Sequence, residues 1–163
     1  MARKVFFSFH YERDIWRVSQ IRNHWVTKPN IQEAGYIDAA AWETVKRQGD
    51  IAIKHWINSQ LEGTSVTVVL IGAETSFRDW VIYEIEKSRD RGNGLLGIYI
   101  NNLKDSRGFT DFIGYNPFDR VQTSLGLYPM SLSRLVPVFD WVNDNGYKNF
   151  AAWVETAARQ AGK

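Results

Sequence analysis

A tryptophan and a glutamate four residues apart, Trp80 and Glu84, stand in a segment, 77–89, whose apolar residues Phe77, Val81 and Ile85 repeat at four. On a helix turning roughly 100° per residue with its apolar stripe centred on Val81, Phe77 and Ile85 fall about 40° to either side and Glu84 about 60° away. Asp79 and Glu86 fall roughly 160° and 140° away, on the solvent side. The spacing turns Glu84 inward and sets the Trp80 indole on the same side of the helix. A carboxylate bordering a core must be paired, hydrogen-bonded or open to a cleft, because desolvation otherwise disfavours its charge. An acid beside an aromatic wall suits a flat, partly cationic ligand. The plainer reading of the same residues is an acid paired with a nearby Lys or Arg and an indole that belongs to the core.

The elements that must hold this pair are legible around it. The apolar runs 5–9, 66–71 and 95–100 are continuous rather than alternating, the pattern of strands covered on both faces. Between them, helical periodicity runs over 12–26 (Ile15, Val18, Ile21, Trp25), over 50–61 (Ile53, Ile57, Leu61, with Gly63 as a cap) and over 77–89. A last helix runs over 148–161 (Phe150, Trp153, Val154, Ala157). With a short strand around Tyr36 and a helix from Ala39, the alternation predicts an α/β fold. Its mainly parallel five-stranded sheet is doubly wound, with helices on both faces. The fifth strand is expected at 135–139, where Pro137 restricts it to an edge. Residues 101–133 show neither period and are punctuated by Gly108, Gly114, Pro117, Gly126 and Pro129. They read as a functional flap or as a stretch of short elements. No repeat or linker divides the chain, so 1–163 reads as one domain.

In open α/β sheets ligands sit outside the carboxyl ends of the strands, where strand order reverses. The residues arriving there are Ser8, Phe9, His10 and Tyr11 after strand one, Asp38 to Trp42 after strand two, and Gly72 to Phe77 after strand three. By default Asp38 is a turn or cap residue, His10 a solvated loop residue, and Phe9 and Tyr11 packing.

Composition and motifs exclude much else. The chain has 163 residues, 44% hydrophobic and 23% charged, enough for one core without staples. It has no cysteine, hence no thiolate nucleophile, disulfide or Cys-type zinc site. The net charge of +2 comes from interspersed signs, not a basic stripe, which argues against nucleic acid. No apolar run approaches a membrane span or a signal-peptide core, so a cytoplasmic location is expected. The turn after strand one lacks the glycines of a dinucleotide loop, and no phosphate loop or GxSxG elbow occurs. The histidines, His10, His24 and His55, lack metal-ligand spacing, and no metal is expected.

The segments FFSFHYERD (6–14), RNHWVT (22–27), GYIDAAAWE (35–43), SVTVVLIGAET (65–75), WVIYEIEKS (80–88) and FDWVNDNGYKNFAAWVETAA (139–158) follow one another in a specific order. Together they resemble the TIR-like family that supplies the signal-producing subunit of Thoeris antiphage systems. The resemblance implies a flavodoxin-like TIR fold in which Glu84 is the glutamate that cleaves NAD, as a substrate and with no further cofactor. Trp80 matches the tryptophan one turn before it, Ser8, Phe9, His10 and Tyr11 the loop lining the nucleotide pocket, and Asp38 the aspartate opening the loop after strand two. The family further implies a cyclic ADP-ribose-type signal, an effector protein that the signal activates, a phage-derived trigger and a homo-oligomer. His10 and Tyr11 stand where NAD-cleaving TIR domains often carry basic residues, which leaves the holding of the phosphates open. Segment 101–133 is shorter than in some Thoeris subunits. The alternative is a non-catalytic TIR-like module that binds a nucleotide or protein through the same edge.

Overall fold

The computed structural model describes residues 3–25, 31–34, 39–125 and 128–163. In chain order its elements are β1 (Arg3–Ser8), α1 (Tyr11–Trp25), β2 (Ile31–Ala34), α2 (Ala39–Arg47), α3 (Asp50–Leu61), β3 (Val66–Ile71), α4 (Asp79–Asp90), β4 (Gly94–Tyr99), β5 (Gln122–Leu125), β6 (Tyr128–Ser131), β7 (Val138–Asp140) and α5 (Gly146–Gln160). Five strands in the order β2-β1-β3-β4-β7 are joined by four parallel pairings. The direction of winding reverses between β1 and β3, the two strands that carry the site.

The strands explain both their own burial and the placing of the helices. Alternate residues of a strand face opposite sides. Val5 and Phe7, with Val66, Val68, Leu70, Leu96 and Ile98, meet α1 and α5 through Val18, Ile21, Trp25, Phe150 and Val154. Phe6, Val69 and Ile71 face the other way, onto α3 and α4. All six residues of β3 are buried, as a continuous apolar run demands of a central strand.

Two expectations need correction in detail, and a third falls partly outside the described residues. Phe77 is not part of the buried stripe of α4. Its backbone closes a 3-10 turn, Thr75–Phe77, in which Phe77 N–H bonds to Glu74 O (3.1 Å) and Arg78 N–H to Thr75 O (3.1 Å). The helix therefore starts at Asp79, and Phe77, 63% exposed, meets the Tyr115 ring edge-on at 5.9 Å. The edge strand covers Val138–Asp140 rather than 135–139; Pro137 lies just outside it, and only its carbonyl takes part, accepting Gly97 N–H (3.0 Å). The second strand is Ile31–Ala34, and Tyr36 lies outside the described residues.

Segment 101–133 resolves into short elements. A 3-10 turn, Pro117–Arg120, is capped by Asn116, whose Oδ1 accepts Phe118 N–H (2.9 Å). The antiparallel pair β5–β6 follows, and Phe118, Val121, Leu132 and Val136 pack under α4.

Candidate active site

The pleat of β1 decides what its last residue meets. Phe6 and Ser8 share the face that packs on α3 and α4, and Ser8, 1% exposed, brings its hydroxyl under α4. There its Oγ donates to Glu84 Oε2. Glu84 is only 9% exposed, and no cation pairs with it among the described residues. Burial pushes its carboxyl up to about 8, an effect the Ser8 bond only partly offsets.

One turn further along α4 the same face stays polar. Ser88 Oγ donates to Glu84 O (2.7 Å) and lies 2.7 Å from Thr67 Oγ1; since the Ser88 proton is already committed, Thr67 is the donor of that pair. Asn93 Nδ2 donates to Thr64 Oγ1 (2.8 Å) and lies 3.4 Å from Thr67 Oγ1, and Thr64 Oγ1 donates to Leu61 O (2.6 Å). This buried seam fixes the roll of α4 against the sheet, and so fixes where Glu84 points.

Glu84 lines a cleft at the carboxyl end of β1. Phe7, Val81 and Glu84 line it together with Phe9, Tyr11, Trp42, Trp56 and Trp80, while Glu12 and Arg78 are its charged residues. The aromatic wall is continuous: Phe9 to Tyr11, Tyr11 to Trp42 and Trp42 to Trp56 have ring centroids 6.0, 6.0 and 5.9 Å apart. Gly49, at φ 93°, turns the chain between α2 and α3 and so sets Trp42 beside Trp56; that backbone angle is one that only glycine adopts at little cost. At the rim, Glu12 links Lys46 (3.2 Å) to Arg78 (3.3 Å).

Of the residues singled out from sequence, Phe9, Tyr11, Trp80 and Glu84 line this cleft, and Ser8 bonds to the acid. His10 does not line it. It caps α1: its carbonyl accepts Asp14 N–H (3.0 Å), its Nδ1 accepts Arg13 N–H (3.4 Å), and the ring is buried. Burial, then the Arg78 cation, hold the imidazole below its usual range, so it is neutral near pH 7 with its proton on Nε2. Asp38 lies outside the described residues. Sequence reasoning missed Trp56, which stands about 100° off the 53–57–61 stripe of α3. It also missed Glu12 and Arg78, ordinary charges at helix starts. Among the described residues no group of three or more His, Asp or Glu is placed to hold a metal ion. No described helix is long and apolar enough to cross a membrane.

The sequence matches the family described as Thoeris protein ThsB, TIR-like domain, over residues 6–105. It is also 42% identical, over 191 aligned positions, to a protein of Bacillus cereus (strain MSX-D12) provisionally named cyclic ADP-D-ribose synthase ThsB1. That alignment covers 94% of this chain and 100% of the relative. The chain belongs to the ThsB family of TIR-like proteins. The span matched to ThsB takes in every residue that lines the cleft, from Phe7 to Glu84, whereas β5, β6, β7 and α5 lie beyond it. The ThsB relative aligns over more positions than this chain has residues, so it carries insertions that this chain lacks.

Proposed function

We propose that the cleft receives the nicotinamide-ribose end of NAD, and that the chain breaks the bond between them and closes the remainder to a cyclic ADP-ribose-type signal. The observation that carries this reading is a buried carboxylate, held by Ser8 and free of described cations, at the base of an aromatic cleft where strand order reverses. The name of the ThsB relative, a cyclic ADP-D-ribose synthase, supports a cyclising reaction.

The geometry supports a simple division of labour. As the bond to nicotinamide breaks, the ring leaves with the electron pair and positive charge develops at C1′ of the ribose, as in glycoside hydrolysis. The cationic nicotinamide ring, and then the ribosyl cation, lower the pKa of the acid beside them, so Glu84 releases its proton to water as NAD binds and the carboxylate stands where the charge appears. Fixed electrostatic groups of this kind are typically worth about 3–4 kcal/mol, roughly a hundredfold to thousandfold in rate. Ser8 holds the carboxylate in one orientation; Phe9, Tyr11 and Trp80 stack on the rings, with Trp42 and Trp56 completing the wall. His10 positions the first turn of α1, and Asp38 is a substrate-binding residue by its resemblance to the family's motif. Aromatic walls that exclude water favour capture of C1′ by an electron pair of the same molecule, which gives the cyclic product; capture by water gives ADP-ribose.

The product then acts on a separate effector protein as an antiphage signal, formed after a phage-derived trigger in a cytoplasmic enzyme that works as a homo-oligomer. The test is the nucleotide profile of phage-challenged cells that express the chain with its effector. Glu84→Gln, nearly isosteric, is expected to abolish both the new NAD-derived species and protection. Retention of both overturns the assignment.

A further inference from the structure

The nicotinamide end accounts for the inner cleft and leaves the charges at its rim without a role. Glu12, from the first turn of α1, reaches across the mouth: Oε1 lies 3.2 Å from Lys46 Nζ of α2, and Oε2 lies 3.3 Å from Arg78 Nη2 at the start of α4. Three elements that contribute walls to the cleft thus converge on one carboxylate. Its own backbone amide, Lys46 and Arg78 hold Glu12 below the usual carboxylate range against the effect of burial, so it is an anion at all working pH values.

We infer that Glu12 is an internal stand-in for the pyrophosphate of the dinucleotide, and that Arg78 and Lys46 form the subsite that takes the pyrophosphate when Glu12 is displaced. The inference rests on the NAD reading of the inner cleft. It supplies what the loop after β1 lacks, since His10 there is neutral, buried and committed to capping α1.

Three observations carry it. The first is position: Arg78 precedes Glu84 by six residues, about 9 Å along the helix axis, and both line the same cleft. The pyrophosphate hangs from the 5′ carbon of the very ribose whose C1′ must meet Glu84, so an anion site is required one sugar away, toward the rim. The second is exchangeability. The side chains of Glu12, Arg78 and Lys46 are 44%, 42% and 33% exposed, and ion pairs this wet hold weakly. A dianionic pyrophosphate offers more acceptor oxygens and twice the charge, and a displaced Glu12 returns to water without burying an unpaired group. The third is the start of α4 itself. Arg78 occupies the cap position without a side-chain cap, and the helix dipole favours negative charge there. Lys46, beside the Trp42 ring (5.9 Å) and also paired with Glu43 (2.9 Å), is the outer member of the subsite. In this arrangement Glu12 is a specificity element. It closes the rim against weak single anions and yields to a ligand that pairs with both cations at once.

Calorimetric titration of the full chain with ADP-ribose and with nicotinamide riboside, which has the sugar but no phosphate, tests the subsite. Arg78→Gln and Lys46→Gln are each expected to weaken ADP-ribose about three- to tenfold and to flatten its salt dependence. Glu12→Gln is expected to tighten it about three- to tenfold, and nicotinamide riboside is expected to change less than twofold in all three. The gain on removing Glu12 is a result that damage to the fold does not imitate. A Glu12→Gln variant that binds ADP-ribose no better than the parent overturns the inference, as does a loss of both ligands in parallel in the cation variants. If this pattern holds while Glu84→Gln still makes signal, the subsite stands and the NAD-cleavage reading fails. If Glu84→Gln is silent and the pattern is absent, the subsite alone fails.

Discussion

Replacing Glu84 with glutamine separates what the acid does for stability from what it does for chemistry. Its carboxyl is raised from 4.5 to about 8 in the folded chain, with burial as the cause. Between those values the folded state binds more protons than the unfolded chain, so stability falls as pH rises through that window and levels off above about 8. Glutamine keeps the shape of the protonated acid, still accepts the Ser8 hydroxyl and does not titrate. Linkage then makes Glu84→Gln more stable than the parent by about 1 kcal/mol at pH 5, about 3 at pH 7 and about 5 at pH 9. Urea unfolding of both proteins at these pH values reads the difference, in which every other titrating group cancels. The same variant should be inactive in the signalling assay, a gain in stability matched by a loss of function. A stability difference that stays flat from pH 5 to pH 9, or one that favours the parent at pH 9, refutes the claim that the acid is held in a desolvated site.

Two further outcomes follow from the packing around the site. Asp14 is fully buried in the first turn of α1, neither carboxylate oxygen has a hydrogen-bond partner, and burial raises it from 3.8 to about 6 despite Arg17. Its charge therefore weakens the fold as pH rises from about 4 to 6, and the advantage of Asp14→Asn should grow by about 1.5 kcal/mol between pH 5 and pH 7.5 in urea titrations; an advantage that shrinks over that range contradicts it. At Gly114 a Cβ would lie 2.1 Å from the Gly72 carbonyl oxygen, a backbone atom at the end of β3. Gly114→Ala should cost about 1–3 kcal/mol, a drop in Tm of several degrees by calorimetry, and an unchanged Tm contradicts so close an approach of the loop to β3.

What the sequence disclosed and what it withheld divide along a physical line. The inward turn of Glu84 needs only the 100° step of a helix, and the central strands need only burial on both faces, so both could be read from residue order. Phe77 misled because a 3-10 turn begins where Gly72 N–H finds Thr75 Oγ1 (2.8 Å), which shifts the phase before α4 starts. The four-residue strands β5 and β6 and the turn at Pro117–Arg120 are shorter than any period that could announce them. Trp56 belongs to the cleft only because α3 comes alongside α4, a tertiary fact with no local signature. The seam through Thr64, Thr67, Ser88 and Asn93 is likewise drawn from four places in the chain by the sheet register.

The seam and the cleft explain each other. An acid with a pKa near 8 is mostly neutral at physiological pH, so the folded chain holds it uncharged while it waits for ligand, at a cost of about 3 kcal/mol rather than about 5 for the ionised form. The acid stays in that site only if its carboxyl does not rotate away to water, and the Ser8 hydroxyl bonded to Oε2 holds it there. A cationic ligand that favours the ionised acid is, by reciprocity, a ligand whose own binding strengthens as the acid ionises. The burial that destabilises the empty site therefore becomes selectivity for a guest that carries or develops positive charge, and the aromatic wall restricts that guest to a flat one.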